Sequence, residues 1–596
     1  MRELEYPFDS ALLMRKRRAL KKELLNSPGL IDKRIAILGG STTHDIRDML
    51  ELFLLNYGIR PTFFESEYAQ YWQDAVFGNP ELDALKPDLV FIHTSGRNIA
   101  AWPELGQSAE EIETLLDTQS KHFVAMWDAL RDRFRCPIIQ NNFEYPLFRL
   151  LGNRDAVDIH GRVNFVMRLN LRFSELAAAR ADLFLNDICW QAGDYGLARW
   201  SDPFYWHMYK YCLCLDAIPT LAFNVANIVK SIFGKNKKAL ALDLDNTLWG
   251  GIVGDDGPEN LELGQETSMG QGFQEFQSYL KLLQRQGILL NVISKNEPDN
   301  AMAGLKHPQM LLKPEDFISI KANWEPKSVN LVNMAQELTL LPESFVFVDD
   351  NPAEREIIRR QVPGAAVPEL DGVEHYISAI DRAGYFENTA LSADDLKRNA
   401  MYRENAERAR LQSTFTDYHD YLLSLQMQAV IRPFEEPYLA RIAQLTNKSN
   451  QFNLTTRRYT QEEIEQTARD GRFITLYGKL ADCFGDNGVV SLVIGEVQGE
   501  TLDLILWLMS CRVLKRDMEL AMLDTLARTC THRGIKTLRG HYYPTAKNAM
   551  VREFYGTLGF EKIAADEAGN SVWTLSLADY QTRNNVIRIC EADEQA

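Results

Sequence analysis

The stretch ALALDLDNTLWGGIVGDDG, residues 239–257, decides how this chain reads. Its apolar run Ala239–Leu242 has the make-up of a buried strand and stops directly on Asp243, with a second carboxylate at Asp245 and a hydroxyl at Thr247. A buried strand that ends on a carboxylate sets that group at the carboxyl edge of a sheet, where open α/β folds carry their sites. Two carboxylates two residues apart can share one divalent cation, the first attacking phosphorus while the second handles a proton. An ordinary strand followed by an Asx-rich turn has the same local pattern. The groups downstream separate the two readings.

A second apolar run, residues 288–293, leads to Ser294, a hydroxyl suited to a phosphate oxygen. Lys327, within ANWEPKSVN, offers a fixed positive charge to a trigonal-bipyramidal transition state. A third run, 345–348, enters Asp349 and Asp350, hard oxygen ligands suited to magnesium. Three strands ending in Asp, Ser and Asp-Asp, with Lys before the last, resemble the four motifs of the haloacid-dehalogenase (HAD) phosphotransferases. Singly, Ser294 and Lys327 read as loop residues; the ordered set carries the signal.

The segments LDLDNTLWGGIVGDDG, ISKNEPDNA, ANWEPKSVN and FVFVDDNPAERE are similar to the HAD subclass of FkbH-like proteins, which has only a small cap. The likeness runs from about residue 202 to the end. It implies Asp243 as nucleophile, Asp245 as general acid/base, and Mg2+ held by Asp243, the Asp245 carbonyl and Asp350, with Asp349 beside it. Thr247 and Asn296 are expected at the substrate.

A chain of 596 residues is too long for one core, and 45% hydrophobic with 10% aromatic residues is ample for packed domains. Three α/β domains are expected: 1–235, SGNH- or flavodoxin-like; 236–390, HAD Rossmann-like with a minimal cap; 391–596, a linker helix and a GNAT-like domain. The net charge of −17 argues against nucleic acid or an anionic membrane as partner. It also opposes an acidic partner unless a basic patch exists; RKRRALKK at 15–22 is one such cluster. No apolar run approaches a membrane span, the start MRELEYPFDS has no apolar signal region, and eight cysteines lack CxxC pairs, so a cytoplasmic enzyme is expected.

In the first domain, strands at 34–38, 62–65, 88–93 and 136–140 alternate with helical stretches. Gly40-Ser41 and Gly96-Arg97-Asn98 resemble blocks of SGNH esterases, but Asp202 and His207 are five apart where the last block needs Asp-x-x-His. A non-catalytic docking domain is expected, with phosphate binding at the Gly39-Gly40-Ser41 turn as an alternative.

Toward the end, a strand at 502–509 leads through Ser510, Cys511 and Arg512 into a helix with Met518, Met522, Leu523 and Leu526 on one face. A strand at 537–542 and the helix-like KNAMVREFYGTLGF follow. This order resembles the GNAT acyltransferases. The turn at 512–517 lacks the glycines that cradle a coenzyme A pyrophosphate, and Asp517 would repel one, which favours a pantetheinyl arm. FkbH-like proteins carry a cysteine in a matching SCRVL stretch, which implies Cys511 as an acyl-accepting nucleophile; Tyr555 is the candidate proton donor to a departing thiolate. TNKSNQFNLTTRRY at 446–459 reads as a polar loop or, with Asn450, Asn453 and Arg512, as a substrate surface.

Together the resemblance implies glyceryl transfer from 1,3-bisphosphoglycerate to an acyl carrier protein, with loss of phosphate. The alternatives are a stand-alone Mg-dependent phosphatase, acyl transfer to a sugar or polyol in glycan synthesis, and a scaffold, which the complete set of HAD residues disfavours.

Overall fold

The computed structural model describes residues 1–390, 393–412, 414–449, 451–545 and 547–590. The chain forms two compact units, Met1–Ile232 and Phe233–Ala596, and it is α/β throughout. No described helix is long and apolar enough to cross a membrane.

The first unit is built on five parallel strands: β1 (Ile31–Gly39), β2 (Ile59–Glu65), β3 (Leu89–His93), β4 (Ile138–Asn141) and β5 (Leu183–Asn186). Their order, β2-β1-β3-β4-β5, is that of flavodoxin-like folds, with the chain reversing direction between β1 and β3. All five residues of β3 (LVFIH) are buried, the continuous apolar run of a strand covered on both faces. The covering helix Ala109–Phe134 begins with a capping box, Ser108 Oγ accepting from Glu111 N (3.2 Å) and Glu111 Oε2 from Ser108 N (2.6 Å).

The second unit holds two sheets. The first has β6 (Ala239–Leu242), β7 (Leu289–Ser294), β8 (Ser319–Ala322) and β9 (Phe345–Val348), all parallel in the order β8-β7-β6-β9. β6 is central and fully buried, so the residues leaving its carboxyl end meet those leaving β7 and β9. Residues 246–267 supply only a short helix, Val253–Asp256, a 3-10 turn, a bridge between Gly250 and Glu262 and one from Trp249 to Asp245.

Helices Ala393–Leu396 and Arg398–Gln412 pass along the amino-terminal edge of this sheet. Arg398 Nη1 donates to Gly287 O (2.9 Å), Asn399 Nδ2 donates to Gln284 O (2.6 Å), and Tyr402 packs in one cluster with Ala239 and Phe345. Gly287 has φ +89°, and a Cβ there would stand 2.0 Å from Asp395 O, so only glycine fits the crossing.

The second sheet is mixed: β10 (Gln428–Arg432), β11 (Phe473–Asp482), β12 (Gly485–Gln498), β13 (Thr501–Met509), β14 (Thr537–Tyr542), β15 (Glu561–Ala565), β16 (Ser571–Ser576) and β17 (Arg588–Ile589), ordered β15-β16-β14-β13-β12-β11-β10-β17. β13 and β14 pair in parallel only over residues 501–504 and 537–540 and are unpaired beyond. Helix Met518–His532 buries Met518, Met522, Leu523 and Leu526, the face its sequence spacing selects. KNAMVREFYGTLGF forms less helix than its pattern suggests: a 3-10 turn, Ala549–Val551, and four helical residues, Phe554–Thr557. The amide of Asn548 at its start is committed elsewhere, donating to Asn453 O (3.0 Å) and Tyr543 O (2.9 Å).

A buried ion network ties the linker helix to this sheet. Asp482 is bonded by Arg408 through Oδ1 (2.6 Å) and Oδ2 (2.8 Å), and Arg516 Nη1 reaches the same Oδ2 (3.0 Å).

Candidate active site

The carboxyl edge of the four-stranded sheet brings Asp243, Asp349, Asp350 and Lys327 together. Asp243 N donates to Val348 O (2.9 Å), which continues the pairing of β6 with β9 and sets Asp243 beside the Asp349–Asp350 turn. One carboxylate oxygen from each of Asp243, Asp349 and Asp350 lies within 4.8 Å of the others. Lys327 Nζ stands 2.9 Å from Asp243 Oδ2 and 2.6 Å from Asp349 Oδ2, while Asp243 Oδ1 is buried without a hydrogen-bond partner. A buried carboxylate oxygen without a donor costs free energy unless a cation or proton meets it. Three hard oxygens around it suit a divalent ion such as Mg2+.

Burial pushes Asp349 up to about 7, with Asp243 adding to the rise and Lys327 opposing it. Burial, then Asp243, raises Asp350 as well. Burial also works against the charge on Lys327, but Asp243 and Asp349 outweigh it and hold the ammonium above the ordinary lysine value.

Asp245 takes a separate position. Its Oδ1 accepts from Trp249 Nε1 (2.9 Å) and Val253 N (3.0 Å), and its Oδ2 from Asn296 Nδ2 (2.8 Å). The side chain therefore faces the small flap, apart from the three-carboxylate cluster, which leaves only its carbonyl for the ligand role expected of it. Burial raises its pKa, the direction a proton donor needs. Thr247 Oγ1 accepts from Asp350 N (3.2 Å), and Ser294 is buried as the last residue of β7.

Cys511 opens a 3-10 turn, Cys511–Val513, directly after β13 and is half-buried. It lies on the other side of the four-stranded sheet, near enough to Lys238, which precedes β6, and to Tyr402 to act on both electrostatically. Arg512 Nη1 donates to Met401 Sδ, and its Nε to Ser510 Oγ (3.2 Å). Tyr555 is elsewhere, enclosed by Trp507, Phe554, Phe560 and Trp573, its buried hydroxyl without a partner.

Residues of the 446–459 segment lie between the diverging ends of β13 and β14. Leu454 N donates to Trp507 O (3.1 Å), Met509 N to Phe452 O (3.0 Å) and Tyr543 N to Leu454 O (2.9 Å). Asn453 is buried, its Oδ1 accepting from Thr456 N (2.8 Å). Asn450 lies outside the described residues.

In the first unit, Ser41 Oγ donates to Cys212 Sγ (3.3 Å), and His93 Nε2 is 3.2 Å from the same sulfur. Asn141 Nδ2 donates to His93 Nδ1 (2.9 Å) and Thr94 O (3.1 Å), while Asn141 Oδ1 accepts from Asn186 Nδ2 (2.8 Å). This network assigns the proton of His93 to Nε2, facing sulfur, so the ring is a donor there and no base for Ser41. Burial pushes His93 down to about 4 and Cys212 up to about 12. The groups that resemble an oxyanion hole are occupied: Asn98 Nδ2 donates to Gly40 O (3.1 Å) and Gly96 N to Glu144 Oε2 (3.1 Å). Asp202 caps the helix Pro203–Tyr209 through Phe204 N (2.8 Å), and His207 is exposed on that helix.

Residues 34–230 match the family model described as FkbH, N-terminal domain. A crystal structure of the N-terminal part of the protein BF1531 from Bacteroides fragilis, containing a phosphatase domain and complexed with Mg, is similar at 28% identity and a TM-score of 0.58. That match covers 63% of this chain and 99% of the other. These two findings together fit an FkbH-like family. Weaker likenesses are the ribosomal-protein-S18-alanine N-acetyltransferase from Escherichia coli (15% identity, 26% of this chain and 99% of that one, TM-score 0.21) and a putative GNAT-family acetyltransferase from Desulfovibrio desulfuricans (17%, 25% and 99%, 0.21). No curated protein matches the sequence.

Several residues that shape the chain's sites were not singled out from sequence. Arg355 Nη1 donates to Asp349 O (2.8 Å) and Asp350 O (2.7 Å), and Tyr376 Oη to Asn246 O (3.1 Å), fixing the two loops that carry the carboxylates. Arg355 falls within the quoted FVFVDDNPAERE, where a helix following the Asp-Asp pair was the available signal. Tyr402 and Lys238 carried no local signal.

Proposed function

We propose that this chain is a divalent-metal-dependent phosphatase coupled to an acyl transferase, acting on a phosphorylated three-carbon acyl donor such as 1,3-bisphosphoglycerate and passing the glyceryl unit to a carrier-protein thiol. The observation that carries the phosphatase reading is the buried, unpartnered Asp243 Oδ1 among Asp349, Asp350 and Lys327. The Mg complex of the similar Bacteroides fragilis phosphatase-domain structure supports the choice of ion. Asp243, Asp349 and Asp350 would hold Mg2+, which when bound supplies charge neutralisation to phosphoryl oxygens.

In this reading Asp243 attacks the phosphorus of the C3 ester, and Asp245 gives its proton to the departing alkoxide. Asp245 then takes a proton from the water that hydrolyses the aspartyl phosphate. Lys327 and Ser294 hold phosphoryl oxygens while charge develops. The acyl phosphate at C1 is already activated. Cys511 Sγ attacks that carbonyl, the S–C bond forms as the C–O bond to phosphate breaks, and the thiol proton leaves with the phosphate. Attack by Asp243 on the acyl phosphate would instead discard the activation, so the two sites divide the labour.

The test is the intact mass of the protein after incubation with Mg2+ and freshly generated 1,3-bisphosphoglycerate, with Cys511→Ser and Asp243→Asn alongside. A glyceryl adduct in the wild type that Cys511→Ser lacks supports the coupled reaction. Release of the ester phosphate by Asp243→Asn would overturn the assignment of the nucleophile.

A second reading, a stand-alone phosphatase, is favoured by the segment 452–455 lying between β13 and β14, where a GNAT-like module would admit its acyl donor. It expects phosphate release with no adduct and no effect of Cys511→Ser. Transfer to a sugar or polyol hydroxyl shares the Cys511 adduct and differs only in the acceptor that discharges it.

A further inference from the structure

One ion pair at the mouth of the carboxylate site takes no part in the chemistry at its floor. Lys295 Nζ stands 2.6 Å from Glu354 Oε1, with the lysine side chain 40% exposed and the glutamate 11%. Lys295 leaves the carboxyl end of β7, and Glu354 lies in the first turn of the helix Pro352–Gln361, which follows β9. β6 runs between β7 and β9, with Leu242 level with Val292 on one side and Val348 on the other. The pair therefore spans the exit of β6, where Asp243 stands, across roughly 10 Å of sheet.

The residues on either side of Lys295 set what it faces. Ser294, buried at the end of β7, is the candidate phosphoryl ligand, and Asn296 Nδ2 donates to Asp245 Oδ2 (2.8 Å). In the proposed reaction Asp245 gives its proton to the departing alkoxide, so the organic half of the ester leaves past this loop. Lys327, its side chain 4% exposed, lies deep in the site and is committed to Asp243 and Asp349. Arg355 Nη1 donates to the carbonyls of Asp349 and Asp350. Of the acids on the same loops, Glu354 holds Lys295, and Glu297 Oε1 accepts from Trp324 Nε1 (2.7 Å). An ammonium carries three donors and Glu354 takes one, so Lys295 can meet a further anion without leaving its tether.

We propose that Lys295, held over the site by Glu354, binds a second anionic group on the alcohol side of the phosphoester. It thereby selects donors in which a carboxylate or acyl phosphate lies a few bonds from the phosphorus-bearing oxygen. This rests on the reading of the carboxylate cluster as a phosphatase site. The carboxylates and Lys327 at the floor serve the ion and the phosphoryl group that is cleaved, and a second charge on the same donor lies beyond their reach, beside Asp245. A cation there lowers the cost of bringing a doubly anionic ester into an acidic cleft, and it does so through a charge-assisted hydrogen bond.

The test gives the full-length protein, with Mg2+, a matched pair of esters: 3-phosphoglycerate, which carries a carboxylate, and glycerol 3-phosphate, which carries a hydroxymethyl group in its place. Phosphate release should favour 3-phosphoglycerate by about tenfold in kcat/KM, the difference lying mainly in KM. Lys295→Met should bring that ratio toward one and Lys295→Arg should keep it, which separates charge from folding. A ratio near one in the wild type, or a preference that survives Lys295→Met, would overturn the proposal. Calorimetric titration of Asp243→Asn with both esters, alone and combined with Lys295→Met, separates it from the phosphatase reading. Tighter binding of 3-phosphoglycerate that Lys295→Met abolishes, with no phosphate released from either ester by the wild type, would keep the Lys295 site and overturn the phosphatase.

Discussion

Lys238 and Asp243 bracket one buried strand, Ala239–Leu242, and so lie on opposite edges of the four-stranded sheet. At about 3.3 Å per residue the strand separates their backbones by roughly 16 Å. The carboxylates gather at the Asp243 end and Cys511 at the Lys238 end. On the proposed reading, phosphoester chemistry at one edge and thiol chemistry at the other would stand too far apart to share one small chamber.

Asp243→Asn is expected to lower phosphate release by at least about a thousandfold, because the amide is a poor nucleophile and no other carboxylate occupies its position. Steady-state phosphate release at saturating Mg2+ measures this, and an unchanged circular dichroism spectrum checks the fold.

Stabilisation by Mg2+ should grow as pH rises from about 4 to about 7. The folded pKa of Asp349 is raised from 3.8 to about 7 by burial and Asp243. In that window the metal-free folded state binds more protons than the unfolded state, so its stability falls with rising pH. Mg2+ needs the deprotonated carboxylates and so gains affinity over the same interval. Thermal unfolding with and without Mg2+ at several pH values measures it; a stabilisation independent of pH across this window would contradict the metal assignment.

Asp482→Ala should destabilise the second unit by about 3–5 kcal/mol, since it leaves the buried guanidiniums of Arg408 and Arg516 without their shared counter-charge. Urea unfolding monitored by tryptophan fluorescence would read this, with Trp507 buried in the same module.

Asn548→Ala is expected to cost about 1–3 kcal/mol, because Asn453 O and Tyr543 O lose their donor and Thr545 N its acceptor inside the protein. The same change frees the segment between β13 and β14. Faster proteolysis within 446–459 than in the wild type would show that this one amide fastens it.

The HAD-like site was legible in sequence because each component is a local pattern. A buried run followed by Asp, Ser or Asp-Asp states both where a strand ends and which group leaves it, and parallel strands place all their ends on one edge. The flavodoxin-like alternation of the first unit was legible for the same reason, although β5 and β8, only partly buried where the other short strands are fully buried, did not stand out. KNAMVREFYGTLGF misled because its apolar spacing is helical while Asn548 is drawn off to distant carbonyls.

From the sequence alone came the chemistry available to this protein: the Asp243–Asp245 pair, Ser294, Lys327, the Asp349–Asp350 turn and an isolated thiol at Cys511. Tertiary structure decided where that chemistry stands. It turned the His93 proton toward Cys212, set Asp482 between two arginines, filled the gap beside β13 with residues 452–455, and put Cys511 beneath the sheet near Lys238 and Tyr402. These are pairings between residues tens to hundreds of positions apart, fixed by how packed elements meet rather than by any periodicity along the chain, so they leave no mark in a local pattern.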